Sequence, residues 1–397
     1  MTNVILISDI HFGLRIDHAI LDAGGGSSDR LRDVREVMLS LYDYVSEVRN
    51  NISAVFILGD LFHRRHPKAP ALIAAGRALA QLAKLVPVYI LPGNHDAHDR
   101  SGKLYSLQVY EELSVPGIYI WKHGSKLPID GRTFRPMPWL PEPKFKKALT
   151  EVSKEDDDET VLLFHQQVVN CYDAGWKIEG GISKDELALA GYAGYWSGHV
   201  HVPQSFGMGV PGGYLGSPLH FAFGEVTPDN PSRGFWVLDT DTLETTAVAV
   251  NTAPAFHRWD FSAYEDMDCV EVVEEVLPGL KEEITTLLAD VPAYLRIRVQ
   301  GPRAIVSAAT ARLRAALGPL QATGKGIRLL AIQEIQTDAG AGERLRKVMA
   351  GLPEGEALDP PGLVAAYVGA AATEKNAAVQ EELTRIGREL LGEGRDL

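Results

Sequence analysis

The sequence predicts an α/β fold built around a largely parallel sheet, and three observations carry that expectation. Apolar runs and stretches of helical periodicity alternate through the first half of the chain in a βαβαβ order. Further apolar runs beyond residue 160 supply strands for a second sheet or half. Near Pro254 the pattern changes to that of a smaller α/β unit followed by a helical tail.

The elements follow in order. Val4–Ile7 is the first strand, and a loop containing Gly24–Gly26 comes after it. From Asp29 onward, Leu31, Val34, Met38, Leu41, Val45 and Val48 recur at the spacing of an amphipathic helix. A strand at Ala54–Leu58, a helix around Ala71–Leu85 and a strand at Val88–Leu91 complete the βαβαβ order. Val161–Phe164, Gly194–Ser197 and Phe235–Leu238 read as later strands. Gly and Pro punctuate Met208–Pro231, which predicts loops and turns there. In the smaller unit, Asp268–Leu288 and Ile305–Leu317 have helical periodicity, and Tyr294–Val299 alternates like a half-exposed strand. The expected domains are 1–255, 256–320 and a C-terminal region 321–397. That last region turns rich in Ala, Glu and Leu from Glu343 and ends in a helical pattern at Asn376–Leu391.

The 397 residues are 45% hydrophobic, yet no run approaches the roughly 18–20 apolar residues of a membrane span. The opening MTNVILISD carries an acid within its apolar run and reads as a core strand, not a signal peptide. Cys171 and Cys269 are far apart, with no CxxC, which fits a reducing compartment, most simply the cytoplasm. The net charge of −13 is unevenly spread: residues 1–150 hold 19 Lys/Arg against 15 Asp/Glu, leaving 20 against 37 for the remainder. This balance argues against an extended DNA-coating surface. It does not exclude a nucleic-acid substrate, because the local field at a cleft decides. The acidic run Glu155–Glu159 reads as a solvated loop.

Five apolar runs end in metal-competent residues. They lead to Asp9 and His11, to Asp60, to Asn94 and His95, to His165, and to His199 and His201. Ligand sites in open α/β sheets lie outside the carboxyl ends of strands, so these side chains should converge on one edge of the core. Carboxylate and amide oxygens combined with imidazoles suit Mn²⁺, Fe²⁺ or Zn²⁺, and the lack of thiolates speaks against a structural zinc site. Two ions roughly 3.5–4 Å apart need a bridging carboxylate, activate a water and neutralise phosphate charge.

The motif set DxH, GDLFH, GNHD and GHxHxxQ resembles the calcineurin-like metallophosphoesterase superfamily, and within it the SbcD-type DNA repair exonuclease subunit. It is carried by Asp9, His11 and Gly13, by Gly59–His63, by Gly93–Asp96, by Gly198–His201 with Gln204, and by YLGSPLHFAFGE at Tyr214–Glu225. The resemblance implies a two-sheet β-sandwich flanked by helices, a small α/β capping domain over 256–320 and a helical C-terminal tail. It implies that Asp9, His11, Asp60 and His201 hold one divalent ion. Asp60, Asn94, His165 and His199 hold the other, with Asp60 bridging. Mn²⁺ is the foremost candidate, and Mg²⁺, Fe²⁺ and Zn²⁺ are compatible. His95 would serve as acid or transition-state stabiliser, Asp96 would fix its tautomer, and His63 would position substrate or support the ligands. Arg64, Arg65 and Lys68, just after Asp60, read equally as contacts to DNA phosphates near the expected cleft or as a solvated loop.

The implied activity is 3′–5′ double-strand exonuclease and single-strand endonuclease cleavage of DNA. The implied partner is an SbcC-type coiled-coil ATPase docked on helices in Leu358–Leu391, within a heterotetramer containing a homodimer of this chain. Two other readings stay open on the residues alone. One is a phosphoesterase of the same core acting on a nucleotide or phosphoprotein. The other is a non-catalytic scaffold, which the complete ligand set disfavours. His18, His66, His98, His123, His220 and His257 have no partner pattern and read mostly as surface residues, and Cys171 reads as a small buried hydrophobe.

Overall fold

A computed structural model describes residues 3–17, 27–99, 104–153, 159–173, 176–225, 233–250, 255–262, 269–287, 293–301, 303–322 and 327–336. The expected helices at Asn376–Leu391 and the partner-binding segment Leu358–Leu391 lie outside the described residues, as do Gly24–Gly26 and 155–158 of the acidic run.

Two six-stranded mixed sheets form the core. The first runs in the order Thr245–Ala249, Gly234–Asp239, Asn3–Ile7, Ile52–Leu58, Val88–Leu91, Ile118–Ile120. Its four strands from Asn3–Ile7 onward are parallel, and Gly234–Asp239 closes the other side antiparallel. The second runs Gln204–Ser205, Gly212–Tyr214, Gly194–Gly198, Val161–His165, Arg132–Met137, Leu127–Ile129, parallel in the middle and antiparallel at both edges.

Successive side chains of a strand point to opposite faces, and here both faces are covered. Ile5, Ile7, Val55 and Ile57 pack with the helix residues Val34, Val37, Leu41, Ala75 and Leu79. Their neighbours Val4, Leu6, Ala54, Phe56 and Leu58 pack instead with Phe134, Val161, Leu163 and Trp196 of the second sheet. Leu162 and Phe164 turn the other way, onto Phe145, Leu149 and Leu187. That two-sided burial explains why the strands are uninterrupted apolar runs.

The helices Leu31–Val48 and Ala69–Leu82 bury residues at helical spacing, Val34, Val37, Met38, Leu41 and Val45 in one, Ala71, Ala75, Leu79 and Leu82 in the other. Pro70 lies in the first turn of the second helix, where its missing N–H costs nothing. A Ser183–Glu186 capping box starts the short helix Lys184–Leu189.

Several strands were not legible. Arg132–Met137 contains two Arg and a Pro, yet it lies inside the second sheet, where the fully buried Arg135 donates to the Ser125 carbonyl. Gly212–Tyr214 falls within the segment expected to be loops. Its glycines let the chain pair with Tyr195–Ser197 and Gln204–Ser205, a contact made by backbone and invisible to side-chain patterns. A further three-stranded sheet is formed by Ala255–Ser262, Ala293–Gly301 and Ile327–Gln336, and the helices Cys269–Leu287 and Arg303–Ala322 fall between its strands in sequence. The third of these strands, Ile327–Gln336, follows residue 320 in the chain. Among the described residues no helix is long and apolar enough to cross a membrane.

Phe56 is fully buried, with ring centroids 4.9 Å from Trp121 and 5.0 Å from Phe134 across the sandwich. Phe56→Ala should lower the free energy of unfolding by about 3–5 kcal/mol, measured by denaturant titration.

Candidate metal centre

The carboxyl ends of Asn3–Ile7, Ile52–Leu58, Val88–Leu91, Val161–His165 and Gly194–Gly198 bring the expected ligands together. The parallel ladder continues past the strand ends. Asp9 N donates to Gly59 O at 3.1 Å, His11 N to Asp60 O at 3.0 Å, and His63 N to Phe12 O at 3.0 Å. At these turns Asp9, His11, Asp60 and His199 adopt φ of +52°, +53°, +51° and +89°. Left-handed backbone costs an L-residue on the order of 1–3 kcal/mol, and such strain concentrates at functional sites.

Glycine makes the close approach possible. A Cβ on Gly59, itself at φ +92°, would overlap the His165 ring, and one on Gly93 would overlap Asp60 Oδ1 and its main-chain N. The glycines of the GD and GNHD motifs therefore leave room for the ligands.

Among the described residues three clusters of ligand atoms result: Asp9, His11 and His201; Asp60, His165 and His199; and His11, His63 and His95. Asp60 links the first two. Its Oδ2 lies 3.6 Å from His11 Nε2 and 3.4 Å from His165 Nε2, while its Oδ1 accepts from His95 N at 2.8 Å. Asn94 Oδ1 lies 2.7 Å from His199 Nδ1 and 3.0 Å from His165 Nε2. Asp9 accepts the His199 amide on both oxygens, at 3.1 and 3.0 Å.

The residues fit divalent ions. His11 Nε2 is buried and has no hydrogen-bond partner among the described residues, and it faces Asp9 Oδ1 at 3.8 Å as well as Asp60 Oδ2. An unsatisfied buried nitrogen between two carboxylates is costly alone and is resolved by a cation. Two atoms each about 2.0–2.2 Å from one ion end up somewhat more than 3 Å apart, close to the spacing found.

Charge is divided among the imidazoles. Burial, reinforced by neighbouring rings, lowers His63 to about 3 and His199 to about 4, and burial also lowers His11. These three rings are neutral at physiological pH, the form a cation requires. Burial opposes the proton on His165 too, but the adjacent Asp60 carboxylate outweighs it and raises the ring to about 9. Burial likewise works against ionising Asp60, yet the charge and hydrogen bond of His165 hold its carboxyl far below the ordinary range.

The expected partner of His95 is corrected by the geometry. Asp96 does not reach the His95 ring: its carboxylate accepts main-chain N–H groups from Phe62 at 3.0 Å, Gly93 at 3.0 Å and Leu61 at 3.3 Å. Burial, then the nearby Asp60, raises Asp96 to about 7. His95 Nδ1 is held instead by the His63 carbonyl at 2.8 Å, which leaves its Nε2 as the free ring nitrogen. The His63 ring lies with Nδ1 3.2 Å from His11 Nδ1. Gly93 lies on the same loop as Asp96, whereas Leu61 and Phe62 lie on the facing strand-end loop, so the carboxylate ties the two loops together by their main chains.

Arg64 lines a cavity of about 260 Å³ together with Phe12, Gly13, Arg15 and Lys68, and Arg65 is exposed. His220, expected at the surface, is buried, and Cys171 is buried as expected. Sequence reasoning missed Glu225 and Arg233 as groups beside the centre. The FGE ending of the Gly216-Ser217-Pro218 segment was a signal for Glu225, whereas nothing local marks Arg233.

Residues 2–203 match the sequence model of the calcineurin-like phosphoesterase family. The chain belongs to that family. The calcineurin-like core thus extends over half the chain and contains every expected ligand. Relatives include the DNA double-strand break repair protein Mre11 of Methanopyrus kandleri, 27% identical over 256 residues, covering 59% of this chain and 53% of that protein. The Mre11 of Saccharolobus solfataricus is 26% identical over 207 residues, 51% of this chain and 50% of that one. Exonuclease subunit 1 of Enterobacteria phage T4 is 22% identical over 237 residues, covering 57% and 67%. The chain spans about half the length of the two Mre11 relatives.

Without a cation, His165 keeps its proton to about pH 9, above its ordinary 6.5. Its contribution to stability is complete below about pH 6.5 and is lost as pH rises through about 9. A cation displaces that proton, so divalent-ion affinity should climb with pH across this window, and binding at neutral pH should release protons. Titration calorimetry in buffers of different ionisation enthalpy counts them; a count of zero would contradict this arrangement.

Proposed function

We propose that this phosphoesterase is a two-metal DNA nuclease, the SbcD-type subunit of a double-strand-break repair complex. The observation that carries the reading is Asp60 Oδ2 placed between His11 and His165, with the His95 ring held beside them. Support for DNA as substrate comes from the relatives named for break repair and exonuclease activity, and from the GDLFH and GSP…F.E segments.

Asp9, His11, Asp60 and His201 would hold one ion, and Asp60, Asn94, His165 and His199 the other, Mn²⁺ foremost. Two divalent ions supply Lewis acidity, an activated water and a clamp on the phosphodiester. The chain's own residues do the rest. The His63 carbonyl accepts from His95 Nδ1–H, which directs Nε2 of His95 toward substrate, where it gives a proton to the leaving oxygen or stabilises its charge. Arg64 and Arg65 take neighbouring DNA phosphates, an interaction that positions the strand without reading its sequence.

The wider assembly belongs to the same proposal: residues 256–320 as a capping domain, the C-terminal region as the dock for an SbcC-type ATPase, and a homodimer of this chain. Leu39 and Ile73, 51% and 53% exposed, line an apolar groove of about 380 Å³ with residues of helices Leu31–Val48 and Ala69–Leu82, a face suited to self-association.

With Mn²⁺ and its ATPase partner, the wild-type chain should degrade end-labelled duplex DNA. His95→Ala should slow cleavage by about 10²–10⁴-fold with cation uptake unchanged. Intact DNA in the presence of protein that holds both ions would overturn the nuclease reading.

A further inference from the structure

The imidazoles around the two candidate ion positions are oriented differently. His165 Nδ1 pairs with a main-chain carbonyl, Leu58 O, at 2.8 Å. His201 pairs with a side chain instead: its Nδ1 lies 3.3 Å from Glu225 Oε1. Glu225 is buried, and its second oxygen accepts from Phe221 N at 3.1 Å and from Arg233 Nη2 at 3.3 Å. Arg233, also buried, donates through Nη1 to the His201 carbonyl and, at 3.0 Å, to Ser217 Oγ. Glu225 and Arg233 thus grip His201 by its ring and by its main chain. The same carboxylate holds the backbone of Phe221, whose ring meets the His201 ring edge-on at 4.4 Å and the His11 ring at 4.8 Å.

We propose that Glu225 and Arg233 are positioning residues for His201, and that they set the affinity of the ion position formed by Asp9, His11, Asp60 and His201 while leaving the other position untouched. A carboxylate accepting from Nδ1–H selects the tautomer whose Nε2 lone pair is free for a cation and makes that nitrogen a stronger donor. Arg233 satisfies the carboxylate oxygen that faces away from the ring, which keeps a buried charge paired. The asymmetry follows from the fold. The His165 ring is held by Leu58 O and the His199 ring lies against Asn94, and neither ring hydrogen-bonds to Glu225. The inference rests on the two-ion reading given above.

Titration calorimetry with Mn²⁺ on the full chain, alongside EPR, tests it. Wild type should take up two ions and give the signal of a coupled pair. Glu225→Ala should weaken one ion by about 10–100-fold, leave the second at wild-type affinity, and give the EPR signal of an isolated Mn²⁺. Glu225→Gln keeps an oxygen acceptor for Nδ1–H and should lose less than Glu225→Ala; it also decides the matter if the alanine variant fails to fold. A merely structural role would weaken both ions together or neither. Wild-type affinity for both ions in folded Glu225→Ala, or in folded Glu225→Gln when the alanine variant does not fold, overturns this inference alone. A wild-type chain that takes up no Mn²⁺ overturns it together with the two-ion reading.

Discussion

The Asp60 carboxylate is the group on which the centre depends. It is buried at the end of a central strand, where an unpaired charge would cost several kcal/mol. The surroundings compensate on both oxygens. One accepts the His95 amide, and the other faces His11 and the protonated His165. Because His11, His165 and the His95 amide all meet this one side chain, a shift of Asp60 would disturb the ends of three other strands at once. The sandwich beneath it, packed on Phe56 and its neighbours, serves to keep those strand ends in register.

Stability is locally given up to make this arrangement. Four ligand-bearing residues carry left-handed backbone, a His11 nitrogen has no partner among the described residues, and glycines stand where a Cβ would collide. A cation between the carboxylates would satisfy the His11 nitrogen, while the left-handed turns and bare glycines are what let the ligand atoms approach one another. Asp96 shows the supporting side of the same economy of space. Its oxygens gather three loop N–H groups and thereby fix the turns that carry Asp60 and Asn94.

Much of the fold was legible because strands buried on both faces are apolar throughout, as at Asn3–Ile7 and Val161–His165, and because Leu31–Val48 keeps a clean helical stripe. Arg132–Met137 and Gly212–Tyr214 were not legible. Their place in the second sheet is set by backbone pairing to neighbours that only the folded chain supplies, so an Arg or a Gly can occupy a strand without marking it. Among the candidate residues, chemical type at a strand end was readable, and partnership was not.

The sequence by itself determined which residues could carry the chemistry: Asp9, His11, Asp60, Asn94, His95, His165, His199 and His201, each next to a strand whose composition is local. Only the tertiary structure decided who holds whom. It turned Asp96 onto the main chain, gave His95 to the His63 carbonyl, and brought Glu225 and Arg233 to His201. The physical reason is range. A strand end and its ligand are written within a few residues, whereas a hydrogen bond such as His199 N to Asp9, 190 residues apart, exists only after both sheets have packed.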